Sequence, residues 1–409
     1  MEEVEVGKFI LESSTGLDAI KRAPIIIEET GIKCLRIGDI SNSKEYKDWG
    51  NTKVKTEDYM KAKVELGDIL IARTGNTIGC NKYIDFENKK VVFNNGLIRI
   101  KVNKEKAFSK YIYYCFQTDK YRKYIESIAY GTSTQPNMKI KDLLAFKVPN
   151  FNLEIQKRII SILSSLDEKI ELNRKINQNL EEIAQTLFKR WFIDFEFPNE
   201  EGKPYKSSGG KMIESELGEI PEGWKIKSLL EVGDFINGLA MQKYRPLDTE
   251  DSLKVIKIKE MNSGFSKETE LCSVNIPDTY KVNFGDILFS WSGTLKVMFW
   301  DKECGGLNQH IFKVIPKNAN KLFLYFWLKI HLQTFIQIAQ SKATTMGHIK
   351  RNDLNNSKII VPNTEFWIYK EKILNSYLEK IVYQSKEIEK LIELRDYLLP
   401  RLMSGEISV

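Results

Sequence analysis

The chain spells one series of sequence blocks twice, in the same order, and this internal repetition limits its fold more than any other feature. Val6-Gly7-Lys8-Phe9-Ile10 matches Val232-Gly233-Asp234-Phe235-Ile236, and Leu35-Arg36-Ile37 parallels Ile256-Lys257-Ile258. Gly67-Asp68-Ile69-Leu70-Ile71 recurs as Gly285-Asp286-Ile287-Leu288-Phe289, and polar, Gly-containing loops follow, reading ARTGNTIG and SWSGTLKV. NNGLIRIKV (Asn94–Val102) answers NQHIFKVIP (Asn308–Pro316), and Val148-Pro149-Asn150 returns as Val361-Pro362-Asn363. At 409 residues the chain has room for two domains and their connections.

Each copy ends at its Pro and gives way to a long stretch of helical periodicity. In the first, Ile159, Leu163, Leu166, Ile170, Leu180, Ala184, Leu187 and Trp191 form an apolar seam broken by Asn173 and Asn177. In the second, Leu374, Tyr377, Ile381, Ile388, Leu391, Leu398 and Leu402 keep the same rhythm, with Gln384 and Arg395 as polar breaks. Steps of three and four over several heptads predict a coiled coil, in which buried polar positions fix register at some cost in stability. An amphipathic helix packed on its own domain is the alternative for either one alone; two of similar length favour mutual, antiparallel packing. Ile176 and Ile183 lie beside the seam and are free to meet a partner.

Within each copy, β-branched runs such as VVFNNGLIRIKV and LKVIKIKEM alternate with Gly, Asn and Asp turn clusters. Helices are expected around Ser109–Ile125 and Lys321–Gln340, so the fold class is α+β. The expected organisation is a first repeat domain over 1–150, a central helix over 151–197 and an exposed Gly/Pro/Ser-rich linker over 198–223. A second domain follows over 224–363 and a final helix over 364–409. The apolar run Leu322–Leu332 is too short to cross a bilayer, and MEEVEVGKFI lacks a secretory pattern, so a cytoplasmic, membrane-free protein is expected.

Chemistry is conspicuous by its absence. No G-x-x-x-x-G-K-[ST] loop, strand-borne G-x-G-x-x-G, Asn/Asp-Pro-Pro-Tyr/Phe or H-E-x-x-H occurs. Five scattered cysteines without a C-x-x-C, and only three histidines, argue for reduced thiols and against a metal site. Asp68 and Asp286 are the acidic residues repeated in equivalent loops, and turn formation explains them better than catalysis. The net charge of +7, from 62 Lys+Arg against 55 Asp+Glu, is compatible with a polyanionic partner but common among ordinary proteins.

The segment LEEIAQTLFKRWFIDFEFPNEEGKPYKSSGGKMIESELGEIPEGWKIKSL (Leu180–Leu229) resembles the central spacer of the specificity subunits of type I restriction–modification systems, together with the entry to their second recognition domain. LIELRDYLLPRLMSGEI (Leu391–Ile407) is similar to the end of that family's distal spacer, and the Gly-Asp-Ile-Leu block to one inside its recognition domains. The resemblance spans essentially the whole chain. One departure is that the first copy lacks a P-x-G-W entry, so its opening strand or arm is expected to be abbreviated.

The resemblance implies two target-recognition domains separated by two long antiparallel helices. It also implies double-stranded DNA as ligand, and two modification subunits and ATP-driven restriction subunits as partners. S-adenosylmethionine and ATP belong to those partners, so no cofactor and no catalytic residue is expected here. Physical reasoning converges on the same arrangement: related domains about a pseudo-two-fold each suit one half of a split, asymmetric DNA site.

The best candidates for DNA contact are the repeated loops, with Arg73, Thr74 and Asn76 in the first copy and Trp291, Ser292 and Thr294 in the second. A second set is the segment Gly131–Asn137, with Thr132, Ser133, Thr134 and Gln135, answered by Lys342, Thr344, Thr345 and His348. Arg and Lys suit guanine edges and Asn and Gln adenine edges, although solvated turns would have the same composition. Lys21, Arg22, Lys243 and Arg245, in equivalent early loops, read as phosphate contacts or plain surface charge. The rival functions are a fused methyltransferase or nuclease, which needs a cofactor site, a part of a type IIB/IIG-like enzyme, and a coiled-coil scaffold.

Overall fold

The repeat is visible in the backbone. The computed structural model describes residues 2–129, 137–341 and 347–409. It divides into two units, residues 1–169 with 392–409 and residues 170–391. In the first unit an antiparallel sheet runs in the spatial order Ile10–Thr15, Leu97–Val102, Ile69–Ala72, Asn81–Tyr83. In the second the order is Gly233–Asn237, Ile311–Pro316, Ile287–Ser290, Lys296–Phe299. These are the matched sequence blocks in the same places. Ile69–Ala72 and Ile287–Ser290 are buried at every residue, which accounts for their continuous apolar runs.

A second sheet in each unit contains one parallel pair. Lys33–Leu35 lies beside Val91–Phe93, and Ser252–Ile256 beside Gly305–Leu307. The residue after the first strand of each pair, Arg36 or Lys257, caps a short helix, its N–H donating to Asp39 (3.0 Å) or Glu260 (3.1 Å). The units then differ at the sheet edges. The first adds Ile25–Ile26 beyond Gly50–Thr52, whereas the second adds Lys281–Val282 beside Gly305–Leu307. The opening strand is present in both units, three residues long at Glu3–Glu5 and four at Lys225–Ser228.

Asp68 and Asp286 do what their positions predict. Asp68 Oδ2 accepts the Glu65 N–H at 2.9 Å and Asp286 Oδ2 accepts the Asn283 N–H at 2.8 Å. Gly67 and Gly285 before them hold φ of 89° and 84°, which a side chain would resist.

Helix Lys321–Ser341 forms as expected, but the first unit's counterpart breaks into Ser109–Cys115 and Asp119–Ala129. Thr118 Oγ1 accepts the Tyr121 N–H at 3.2 Å and restarts the helix, while Phe116 turns into the core against Tyr121. The 21-residue helix Lys321–Ser341 is, by length and composition, apolar enough to span a membrane, unlike the shorter run on which the expectation rested. Its residues Leu322–Leu328 are buried in the second unit's core.

The central helix covers Leu153–Phe192 and the distal helix Thr364–Ser404. Each begins on an asparagine cap: Asn152 Oδ1 accepts from Ile155, and Asn363 Oδ1 from Phe366, both at 2.9 Å. Within the second unit Asn177 Nδ2 donates to Ser385 Oγ at 2.7 Å, and Ala184 shares a core with Leu374, so the two helices run antiparallel. Within the first, Arg395 pairs with Asp167 at 3.2 Å, and Tyr114 donates to the same carboxylate at 2.7 Å.

The seam residues have unequal surroundings. Ile159, Leu163 and Leu402 belong to the first unit's core, and Leu398 packs against it. Leu374 belongs to the second unit's core, with Leu187 against it. Ile170 and Ile388 are buried, and Leu166, Leu180, Ile381 and Leu391 are half-buried. Segment 198–223 is exposed over much of its length but is structured. Met212–Ile213 and Ile220–Pro221 form a hairpin, and Tyr205 stacks on Phe197 with centroids 4.5 Å apart.

At one point the repeat depends on glycine. A Cβ on Gly16 would lie 2.3 Å from the Phe93 carbonyl oxygen, and one on Gly238 2.2 Å from that of Asn308. Gly16→Ala and Gly238→Ala are each expected to destabilise their own unit by at least about 1–3 kcal/mol through overpacking. Limited proteolysis across a denaturant series would check this, with cleavage advancing in the substituted unit first.

Candidate nucleic-acid interface

The loops that follow Ile69–Ala72 and Ile287–Ser290 are clamped in the same way. Arg73 N–H donates to Gly96 O at 2.9 Å, and its carbonyl accepts the Met138 N–H at 2.8 Å. At the equivalent place Trp291 N–H donates to His310 O at 3.3 Å, and its carbonyl accepts the Ile349 N–H at 2.9 Å. Matching antiparallel bridges join Thr74 to Asn137 and Ser292 to His348. Each loop is thus held between a hairpin tip and an incoming strand-like segment. The hairpin tips are themselves equivalent, through parallel bridges Leu17–Asn94 and Leu239–Asn308.

On this shared frame the side chains differ. In the first unit Arg73 Nη2 donates to Asn137 Oδ1 at 3.1 Å, and its buried Nε has no partner among the described residues. In the second, Trp291 Nε1 donates to Asn237 Oδ1 at 2.9 Å. Its ring lies 5.6 Å from that of His310 and 6.3 Å from that of His348. Asn76, Thr294, His310 and His348 are exposed, Thr74 is half-buried and Ser292 is buried. Asn137 closes the candidate segment Gly131–Asn137, whereas Asn237 and His310 were not among the sequence candidates and only their places in or beside matched blocks hinted at them. Thr132, Ser133, Thr134, Gln135, Lys342, Thr344 and Thr345 lie outside the described residues.

The four early-loop cations fall into two kinds. Lys21 and Lys243 each sit four residues beyond a bridged leucine, are exposed and have no carboxylate partner among the described residues. Arg22 instead binds Asp58 through Nε at 3.1 Å and through a second, shorter contact, and that hydrogen bond holds the Asp58 carboxyl below its ordinary range. Arg245 pairs with Glu270 at 2.9 Å, a carboxyl held low chiefly by its hydrogen bond from Lys257. The charge of each arginine is therefore largely answered within its own unit, unlike that of the two lysines.

Fold and site together define a tandem recognition chain, in which one scaffold twice presents a rigid polar loop of different chemistry. Comparison with known proteins agrees. The model of the type I restriction modification DNA specificity domain matches residues 14–182 and again 221–394. The MjaIX type I restriction enzyme specificity subunit of Methanocaldococcus jannaschii is 30% identical over 339 residues, covering 80% of this chain and 75% of the relative. The HindI specificity subunit of Haemophilus influenzae is 27% identical over 435 residues, covering 91% and 94%. The fold is similar to the crystal structure of a type I S subunit from M. genitalium, with a TM-score of 0.56, 17% identity and coverage of 98% and 96%. The chain belongs to the type I restriction–modification DNA specificity family.

The second loop depends on one buried hydroxyl. Ser290 Oγ donates to Thr294 O at 2.7 Å and accepts the Lys296 N–H at 2.8 Å, closing residues 290–296. Ser290→Ala leaves both groups to find new partners, at an expected cost of about 1–3 kcal/mol. Amide exchange should accelerate at Lys296 and its neighbours but not in the first unit's loop.

Proposed function

We propose that this chain is the DNA-specificity subunit of a type I restriction–modification complex, reading a split, asymmetric target with one half-site per recognition unit. The observation that carries this reading is the repeated loop frame, whose backbone hydrogen bonds are the same in both units while Arg73 and Asn137 are exchanged for Trp291 and His348. A scaffold needs no such variation, and identical half-sites would call for identical side chains. Family membership supports the same assignment.

In this reading the chain is non-catalytic and cytoplasmic, and it carries no cofactor. Double-stranded DNA is its ligand, and two methyltransferase subunits and ATP-driven restriction subunits are its partners. The outward faces of the long helices suit the methyltransferase subunits. Ile183 is half-exposed there, beside a shallow depression lined by Asn179, Glu182, Thr186 and Arg190.

Modularity is the direct test. Replacing Gly210–Pro362 with the equivalent segment of a related subunit, in the presence of the methyltransferase subunits, should change one half of the methylated sequence and leave the other unaltered. Base-resolution methylation mapping reads the outcome. A change in both halves, or in neither, refutes the assignment.

Lys21 and Lys243 are the better phosphate contacts, since the two arginines are already paired. Lys21→Ala and Lys243→Ala should each flatten the slope of log K against log salt by about 0.9, as expected for one lost phosphate contact on B-DNA. Arg22→Ala and Arg245→Ala should change it less. Binding titrations across a salt series distinguish the two classes.

A further inference from the structure

We propose that Arg73 reads a guanine in the first unit's half-site, with Asn137 as its positioning residue, and that the second unit has no corresponding guanidinium contact. This rests on the reading of the chain as a DNA-specificity subunit, and it assigns a base and a residue pair that the reading leaves open.

The argument starts from rigidity. Arg73 directly follows the fully buried strand Ile69–Ala72, and its backbone is hydrogen-bonded on both sides, to Gly96 and to Met138. The guanidinium is then oriented by a neutral acceptor, Asn137 Oδ1 at 3.1 Å. No carboxylate lies within ion-pair distance of Arg73 among the described residues, whereas Arg22, Arg99, Arg245 and Arg395 each have one. Arg351, also without a carboxylate within ion-pair distance among the described residues, gives its Nη2 to the Phe235 carbonyl at 2.8 Å. Arg73 meets only the neutral Asn137, so its full charge and its remaining Nη donors are left for a ligand, its Nε being buried. Guanidinium presents a planar fork that matches the O6 and N7 acceptors of guanine, and an Asn that takes one N–H sets the plane of the fork without cancelling its charge.

The equivalent positions in the second unit cannot make that contact. Trp291 replaces the arginine, and its single side-chain N–H is taken by Asn237. His348 replaces Asn137, and its ring lies 6.3 Å from that of Trp291. One backbone frame thus supports two different chemistries, which is how a repeat can read an asymmetric sequence.

The experiment uses the full chain assembled with its methyltransferase subunits. The complex is selected on a pool of randomised duplexes, and its affinity is then measured on the selected target and all single-base variants. The variants are Arg73→Ala, Arg73→Lys and Asn137→Asp. The wild type should require a guanine at one position in the half-site that survives replacement of Gly210–Pro362. Arg73→Ala should lower affinity for the target about 10–100-fold and relax preference at that position alone. Arg73→Lys, which keeps the charge but not the fork, should retain more affinity than Arg73→Ala while also relaxing the preference.

Asn137→Asp is the sharper test. It leaves the arginine in place but supplies a carboxylate to capture it, so it should relax the same guanine; thermal denaturation confirms that the exposed substitution leaves the unit folded. Unchanged base preference in all three variants overturns the proposal. So does a uniform loss of affinity across sequences with a flatter salt dependence, which would mark Arg73 as a phosphate contact. Those outcomes leave the modular reading intact. That reading fails separately, if the segment replacement alters neither half-site.

Discussion

An aromatic hub at the end of the central helix holds the second unit together. Phe192 lies 4.8 Å from Phe323 and 5.4 Å from Phe366, and Phe197 stacks on Trp224 at 5.0 Å. These rings come from the central helix, the segment after it, the core helix of the recognition domain and the first turn of the distal helix. Each buried aromatic contributes a large apolar area and geometric preferences of its own. Together they determine where the central helix stops and how the distal one begins. The chain reverses there through Phe195 at φ 59°, a left-handed conformation held by burial of its ring against Trp224.

The rigidity of the two polar loops comes from features repeated within each unit. Buried strands end at the loops, glycines allow the backbone contacts that hold the hairpin tips, and aspartates close the turns that launch the strands. None of these roles involves an exposed side chain. Arg73, Trp291, Asn137 and His348 can therefore differ in chemistry while their backbones remain superimposable in hydrogen-bond pattern. This separation of frame from side-chain chemistry lets one fold present two different loop surfaces.

The long helices are less uniform than a coiled coil. Near their ends they are built into the recognition cores, by Ile159, Leu163 and Leu402 in one unit and by Ala184 and Leu374 in the other. Between them lie polar residues, among which Asn173 is fully buried with neither amide atom bonded to another described residue. Such a position weakens the pairing but penalises any shifted register, as expected of a polar residue in a helix–helix core.

Much of this was legible in the residues. The repeat announced two similar folds, the i, i+3, i+4 rhythm located the central helix, and Gly-Asp before an apolar run marked a turn entering a buried strand. These are local signals, because they follow from backbone geometry and periodic burial. The break at Thr118 was hidden, since the apolar rhythm continues through it and only the packing of Phe116 decides against an unbroken helix. The order within segment 198–223 was hidden as well, because its Gly and Pro content looks like a tether until Phe197 and Tyr205 find Trp224. The pairings of Arg73 with Asn137 and of Trp291 with His310 and His348 join residues far apart in sequence. Sequence alone determined the repeat, the element types and the polar character of the loops. Only tertiary structure decided which of those polar groups are already satisfied and which remain directed outward, because hydrogen bonding between distant segments depends on where the folded backbone places them.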